Sequence, residues 1–243
     1  MTTRTHAIRV PRAVRGLLEE IGRIAGSRGM HAYAVGGCVR DWLLGLRGTV
    51  DLDVTVEGSG TALAKAVSQE VGGAVAIHQQ FGTATLLTRG VRVDFATCRR
   101  ETYAKPAAYP KVFAGTLEDD LFRRDFTINA MAVRLAPASL GALLDPFGGA
   151  EDVTRRLLRI LHERSFLDDP SRILRGIRFA QRFGLRWEAQ TETAAVNVLA
   201  AGGLGWLNAG RLQRELERMC DEPDPSACLA ELVRLLDVAA RQA

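Results

Sequence analysis

What most limits the fold of this 243-residue chain is a change of hydrophobic period part-way along it. Up to Asp145-Pro146 and Gly148-Gly149, alternating β-branched runs are interleaved with helical stretches. Beyond them, apolar residues recur at helical spacing over 151–157, 170–183, 188–200, 209–219 and 226–240. The spacing predicts an α+β head over 1–155 and a helical extension over 156–243. In the head, Val14, Leu17, Leu18, Ile21, Ile24 and Ala25 give a helix over 12–27 behind Pro11. A strand, His31 to Val35, runs into Gly36-Gly37 and a helical patch, Val39 to Leu44. A strand from Val50 to Val56, a helix from Thr61 to Val71, and strands at 74–78, 83–88 and 91–97 follow. Residues 99–118 hold two prolines and no sustained period, so a long loop is expected to interrupt the sheet there.

With 47% apolar and 25% charged residues, disordered, fibrous and collagen-like states are excluded. Cys38, Cys98, Cys220 and Cys228 show no CxxC spacing and are too sparse for a disulfide framework, which favours reduced, mostly buried thiols in a cytoplasm. The formal charge of +4 is carried by arginine, with Lys65, Lys105 and Lys111 the only lysines. Guanidinium forks suit phosphates and base edges, although a GC-rich genome gives the same bias. The N-terminal stretch lacks the apolar run of a signal peptide, and no window approaches a membrane span. A soluble, cytoplasmic protein without a membrane partner is the expectation.

Asp51-Leu52-Asp53 falls inside a strand pattern, where residues two apart share a face, so both carboxylates project together. Asp94, alternating with Val93 and Phe95, joins them if the two strands are neighbours. Three convergent carboxylates suit Mg²⁺, which keeps waters and accepts substrate phosphate oxygens. Alone, the pair also fits two solvated acids on a half-exposed strand.

Gly36 and Gly37, at a strand-to-helix junction, can offer backbone N–H groups to an anion, with Arg40 in the first turn. A plain tight turn is the alternative. In Arg123-Arg124-Asp125-Phe126-Thr127-Ile128-Asn129-Ala130, charges abut a buried-looking run. Asp125 can accept from an arginine, while a guanidinium and Asn129 turn to ribose or phosphate, or the cluster is a structural ion pair. Asp168-Asp169-Pro170 is a strong helix start. In the helix that follows, Arg172, Arg175, Arg178 and Arg182 share one sector opposite Ile173, Leu174, Ile177 and Ala180. That row faces something acidic or is a solvated basic face.

Read in order, VGGCVRDWLLG, DLDVTVEG, VDFAT, EDDLFRRDFTINAMA, LLDPFGG and DDPSRILRGIRFAQRFG resemble the class II tRNA nucleotidyltransferases, which include CCA-adding and A-adding enzymes, and the bacterial poly(A) polymerases. The likeness covers roughly residues 12–200. It implies a nucleotidyltransferase head with a mixed β-sheet, then helical neck, body and tail, with most of the body and tail lacking here. It also implies that Asp51 and Asp53 bind metal, that Asp94 is the third catalytic carboxylate, and that Gly37 and Arg40 contact the triphosphate. Arg123 and Arg124 would contact nucleotide. Asp168, Asp169 and Arg172 would template the incoming base, with Arg175 and Arg178 continuing along the nucleotide. Aspartate stands where many members carry glutamate, and Pro170 stiffens this block. The loop at 99–118 matches one tied to A addition.

The chemistry of such a template follows from the bases themselves. Cytosine and adenine present an amino donor beside a ring-nitrogen acceptor, which a carboxylate plus guanidinium complements. Guanine and uracil reverse that order, leaving buried groups unsatisfied at about 1–3 kcal/mol each. The reaction implied is attack by an RNA 3′-OH on the α-phosphate of CTP or ATP with Mg²⁺, releasing pyrophosphate. A poly(A) polymerase of the same chemistry and a noncatalytic nucleotide or RNA binder are the alternatives. The second would be expected to lose an acid, yet Asp51, Asp53 and Asp94 are all present.

Overall fold

The computed structural model describes residues 8–46 and 51–242. They form two compact units. The first takes the described part of Met1–Arg100 with Val112–Arg124 and Ile128–Val153, and the second takes Glu101–Lys111, Asp125–Thr127 and the chain from Thr154 onward. Val50, expected to open a strand, lies outside the described residues.

In the first unit, helix α1 (Arg12–Ser27) buries Val14, Leu17, Leu18, Ile21, Ile24 and Ala25, the stripe its sequence presents. Strand β1 (His31–Val35), helix α2 (Gly37–Leu43), strand β2 (Asp51–Glu57) and helix α3 (Gly60–Val71) follow. Strands β3 (Ala74–His78), β4 (Thr83–Thr88) and β5 (Val91–Thr97) come next. Beyond them are β6 (Arg99–Thr102), β7 (Lys111–Ala114), helix α4 (Leu117–Phe122), strands β8 (Ala132–Arg134) and β9 (Leu143–Leu144), and helix α5 (Gly149–Arg155).

The main sheet has seven strands in the order β3-β4-β5-β2-β1-β8-β9. It is mixed: β2 and β5 run parallel, while the other pairings are antiparallel. A parallel pair needs a crossover connection, and α3 belongs to it. Ser59 caps α3 by accepting from the Ala62 N–H at 3.2 Å. A Cβ at Gly60 would lie 2.7 Å from the Ala96 carbonyl carbon, so the glycine lets the helix start press against β5. Leu52, Val54 and Val56 of β2, Val93 and Phe95 of β5, and Leu63 and Val67 of α3 are all buried. With a side-chain period of two, that buried set puts Asp51, Asp53 and Asp94 on the opposite face.

Residues 99–118 are not one loop. They fold as a two-stranded ribbon, β6 with β7, and then enter α4. Four-residue strands are too short to display a period, and Pro106 and Pro110, which suggested a loop, sit between the strands where no ladder bond is needed.

The second unit is helical: α6 (Ser165–Asp168), α7 (Ser171–Phe183), α8 (Ala189–Ala200), α9 (Ala209–Cys220) and α10 (Pro225–Ala240). To these it adds a parallel pair, β10 (Leu157–Leu158) with β11 (Arg186–Trp187). The helix expected over 151–157 stops at Arg155, and Leu157 and Leu158 become β10. Phe126 packs edge-on against Phe166, Phe179 and Trp187 at centroid distances of 6.3, 6.0 and 6.5 Å. Among the described residues no helix is long and apolar enough to cross a membrane.

Gly176 of α7 faces that aromatic cluster. A Cβ there would fall 2.4 Å from Trp187 Cη2 and 2.9 Å from Phe126 Cζ. Gly176→Ala is expected to destabilise the protein by about 1–3 kcal/mol through overpacking, outweighing the helix-propensity gain. The urea unfolding midpoint measures this; an unchanged or raised midpoint would show that the cluster yields.

Candidate active site

Parallel pairing of β2 with β5 sets Asp53 opposite Asp94 and Asp51 opposite Arg92. Two carboxylates thus sit side by side, with a third two residues along the same face. Among the described residues no hydrogen-bond donor meets the side chain of Asp51 or Asp53. Asp53 is open to solvent yet flanked by enough protein that desolvation raises its pKa above the usual carboxylate value. Arg124 pulls it down, Asp94 and Asp51 push it up, and Arg92 pulls it down less.

The three acids do not converge into a ready three-ligand cage: no such cluster exists among the described residues. Asp94 is engaged by Thr85, whose hydroxyl donates to Oδ1 at 2.5 Å, and by Arg92 at 3.0 Å from Oδ2. The two strands are neighbours, as the expectation required, and they present a pair of undonated carboxylates beside a partly engaged third. That donor set still suits Mg²⁺, which is commonly held by one or two carboxylates together with substrate phosphates.

Gly36 has φ +73°, a conformation glycine adopts without strain, and ends β1 where α2 begins. A Cβ on it would lie 2.6 Å from Arg124 Nη1 and 3.7 Å from Asp53 Oδ2, so the turn places backbone against both groups. At Gly37 the nearest atom to such a Cβ is Arg40 Nη2, 3.5 Å away. Arg40 is buried; Nε and Nη2 donate to Asp41 Oδ1 at 3.0 and 2.8 Å, and Nη1 donates to Asn129 Oδ1 at 2.6 Å. The structure therefore brings Arg40 and Asn129, far apart in sequence, into one bonded pair.

Arg123 and Arg124 share a partner that the sequence reading passed over. Asp120 is fully buried and accepts from Arg123 Nε and Nη2 at 3.0 and 2.8 Å, and from Arg124 Nη2 at 3.1 Å. Burial alone would raise its pKa, but Arg124 and Arg123 outweigh that and hold it below the usual carboxylate value. The signal lay in the i, i+3 and i, i+4 spacing of Asp120 to Arg123 and Arg124, and in the capping box of Thr116 with Asp119 that starts α4. Arg124 Nε is buried with no acceptor among the described residues. Leaving such a donor unpaired costs about 1–3 kcal/mol, so it is suited to an arriving oxygen.

The RRDFT segment divides between the units: Arg123 and Arg124 belong to the first, Asp125–Thr127 to the second. Asp125 is buried there and accepts from Arg175 Nε and Nη2 at 2.9 and 2.6 Å, and Arg175 also lies over the Phe179 ring. Asp168 is buried at the end of α6. Arg172 is 5% exposed, and its Nη1 donates to Ser165 Oγ at 2.7 Å. Asp169 Oδ1 accepts from the Ser171 N–H at 3.0 Å, satisfying a donor at the start of α7, one residue later than the sequence placed it. For Arg178 and Arg182 the acidic counterpart of the arginine row is in the chain itself: both donate to Glu222, and Arg178 also to Glu215. A buried guanidinium needs such a partner, which makes Arg178 a brace between α7, α9 and the turn after it.

Cys38, Cys98 and Cys228 are buried and Cys220 is exposed, all as free thiols. Burial pushes the Cys38 thiol up to about 12 and the Cys98 thiol to about 11, which leaves both protonated and inert.

The sequence pattern of the Poly A polymerase head domain matches residues 32–159. The chain belongs to that family. The A-adding tRNA nucleotidyltransferase of Halalkalibacterium halodurans is 43% identical over 219 residues, covering 89% of this chain and 51% of its own length. The CC-adding tRNA nucleotidyltransferase of Deinococcus radiodurans is 38% identical over 224 residues, covering 92% and 57%. A solved CCA-adding enzyme in its apo form II superposes with a TM-score of 0.89 at 39% identity, covering 95% of this chain and 54% of that one. The Thermotoga maritima CCA-adding enzyme complexed with tRNA gives 0.84 at 36%, covering 98% and 55%. The chain spans about half the length of these relatives. The likeness to these solved CCA-adding enzymes extends over the mixed-sheet head and the helices that follow it.

Asp120→Asn is expected to cost about 3 kcal/mol at neutral pH, because two guanidinium groups lose their buried counter-charge. A folded pKa held below the unfolded one gives stability that is full above about pH 4 and lost as pH falls through the folded value. Urea unfolding of both proteins should show the gap narrowing below about pH 4; a pH-independent gap would deny the ion pairs this role.

Proposed function

We propose that the chain transfers A or C from ATP or CTP to the 3′ end of tRNA with release of pyrophosphate, A addition being the first reaction to test. One observation carries this: Asp53 and Asp94 in register on adjacent parallel strands, with Asp51 on the same face and no donor on Asp51 or Asp53. Unneutralised carboxylates so close call for a divalent cation, assigned here as Mg²⁺ held by Asp51 and Asp53. When bound, it would activate the attacking oxygen and stabilise charge on the departing pyrophosphate.

The protein's own groups do the rest. Asp94 lies beside Asp53, placed to take the proton of the RNA 3′-OH. Gly36 and Gly37 keep backbone and side-chain bulk away from the phosphates. Arg124, with its unpartnered Nε, and Arg123 offer donors to triphosphate oxygens, both steadied by Asp120. Arg40 and Asn129, already bonded, act as one unit toward phosphate and ribose. In the second unit, Asp168, Asp169 and Arg172 read the base and Arg175 supports them. Asp169 suits the task because Oδ1 alone carries its hydrogen bonds, leaving Oδ2 for a base amino group.

Naming of the relatives favours A addition over CC addition, since the A-adding relative is 43% identical and the CC-adding one 38%. Poly(A) synthesis is the second reading, and the family's head domain carries that name. Free thiols suit a reducing compartment, so the cytoplasm is the proposed location.

Incubation with Mg²⁺, each NTP, and tRNAs ending before C74, C75 or A76 tests the proposal by product length on a gel. One added A on tRNA ending in CC supports A addition, CCA on the shortest tRNA supports full addition, and a long A tail on any RNA supports polymerisation. No incorporation from any NTP would leave only a binder. Asp53→Asn should reduce incorporation to background while RNA binding is retained.

A further inference from the structure

Asp169 is gripped from one side only. Its Oδ1 accepts from the Ser171 N–H at 3.0 Å and the Ser171 hydroxyl at 2.5 Å, and is ion-paired with Arg211 Nη2 at 2.6 Å. Among the described residues no donor reaches Oδ2. The same Arg211 guanidinium turns its Nη1 to the Ala107 carbonyl oxygen at 3.4 Å and lies over the Tyr109 ring, Cζ 5.7 Å from the centroid. Asn208, the N-cap of α9, completes the joint. Its Oδ1 accepts from the Arg211 N–H at 2.9 Å, and its Nδ2 donates to the Tyr109 hydroxyl at 2.9 Å. Ala107 has φ +57°, unusual for a side-chain-bearing residue, and its N–H donates to Leu167 O at 3.1 Å. The side chains of Arg211 and Asp169 are 16% and 20% exposed.

We propose that Arg211 is a specificity-determining positioning residue, tying the Glu101–Lys111 segment to Asp169 and fixing which carboxylate oxygen meets the base. This rests on Asp169 reading the base, as set out above. An unrestrained aspartate rotates and presents either oxygen over a range of positions. Such an aspartate can also accept from the ring N–H of guanine or uracil. With Oδ1 committed, one acceptor remains in one place, and the reversed donor–acceptor order of guanine and uracil finds no match. A planar fork reaches Asp169 and Ala107 O at once; a lysine ammonium is a point charge with no such fork. The position of the segment and the aim of the carboxylate are then one equilibrium, biased from either end.

The test compares the wild-type 243-residue chain with Arg211→Ala, Arg211→Lys and Tyr109→Leu, measuring kcat/KM for ATP, CTP, GTP and UTP on one tRNA. Hydrogen exchange over Glu101–Lys111 and Tm are recorded alongside. Arg211→Ala should raise GTP and UTP use relative to ATP about tenfold, which corresponds to about 1.4 kcal/mol. Arg211→Lys should recover part of that, Tyr109→Leu should move the ratio the same way, and exchange over the segment should quicken in Arg211→Ala. If Arg211→Ala does not fold, the other two variants decide. A ratio unchanged in every folded variant, with only kcat and Tm reduced, assigns Arg211 a merely structural role and overturns the inference while leaving the proposed function intact. A wild-type chain that incorporates no nucleotide overturns the function itself, and this inference with it.

Discussion

The lateral pairing of β2 with β5 is the constraint on which the head depends. The observed parallel register sets Asp53 beside Asp94 while Leu52, Val54, Val93 and Phe95 all face the core. A slip of one residue would turn the acids inward and the apolar residues out, which hydrophobic burial forbids. The like-charge proximity is thus imposed by the same packing that stabilises the sheet. What it costs in repulsion is offset by the core beneath it, and it stands as a standing demand for a cation. The raised pKa of Asp53, due first to desolvation and then to Asp94 and Asp51, is the local sign of that demand.

Within each unit the arginines are largely engaged by partners of the chain itself. Arg40, Arg123, Arg175, Arg178 and Arg182 are committed to partners within the chain: Asp41 and Asn129, Asp120, Asp125, and Glu215 and Glu222. Arg124 also donates to Asp120 through Nη2, but its buried Nε is left unmatched beside Asp53. Buried guanidinium groups without counter-charges would unfold a protein of ordinary stability, so these partners hold the fold while they aim the side chains. The charge of +4 therefore says less about polyanion binding than the placement of one or two side chains does.

Long elements were legible in the sequence because their periods are. The helix at 12–27 and the strands at 74–78, 83–88 and 91–97 appear with those bounds, and the later helices within one or two residues. Short elements were not. Strands β6 and β7 hide behind Pro106 and Pro110, β9, β10 and β11 are two residues each, and α4 is betrayed only by its cap. At the site, the sequence named the acids but not Thr85 as a partner of Asp94, since that contact depends on strand order. Asp120 and Arg211 were missed for related reasons: one is a buried acid among exposed-looking ones, the other acts through a contact some forty residues from Asp169 and a hundred from Ala107.

The most direct test of the account is a calorimetric titration of Mn²⁺, a stand-in for Mg²⁺, into the protein with a nonhydrolysable ATP analogue present, repeated with the Asp51→Asn/Asp53→Asn pair. Saturable binding in the wild type that vanishes in the double variant, with thermal stability unchanged or raised by the relief of repulsion, is the result the carboxylate geometry requires. Equal binding in both proteins, or none in the wild type, would contradict it.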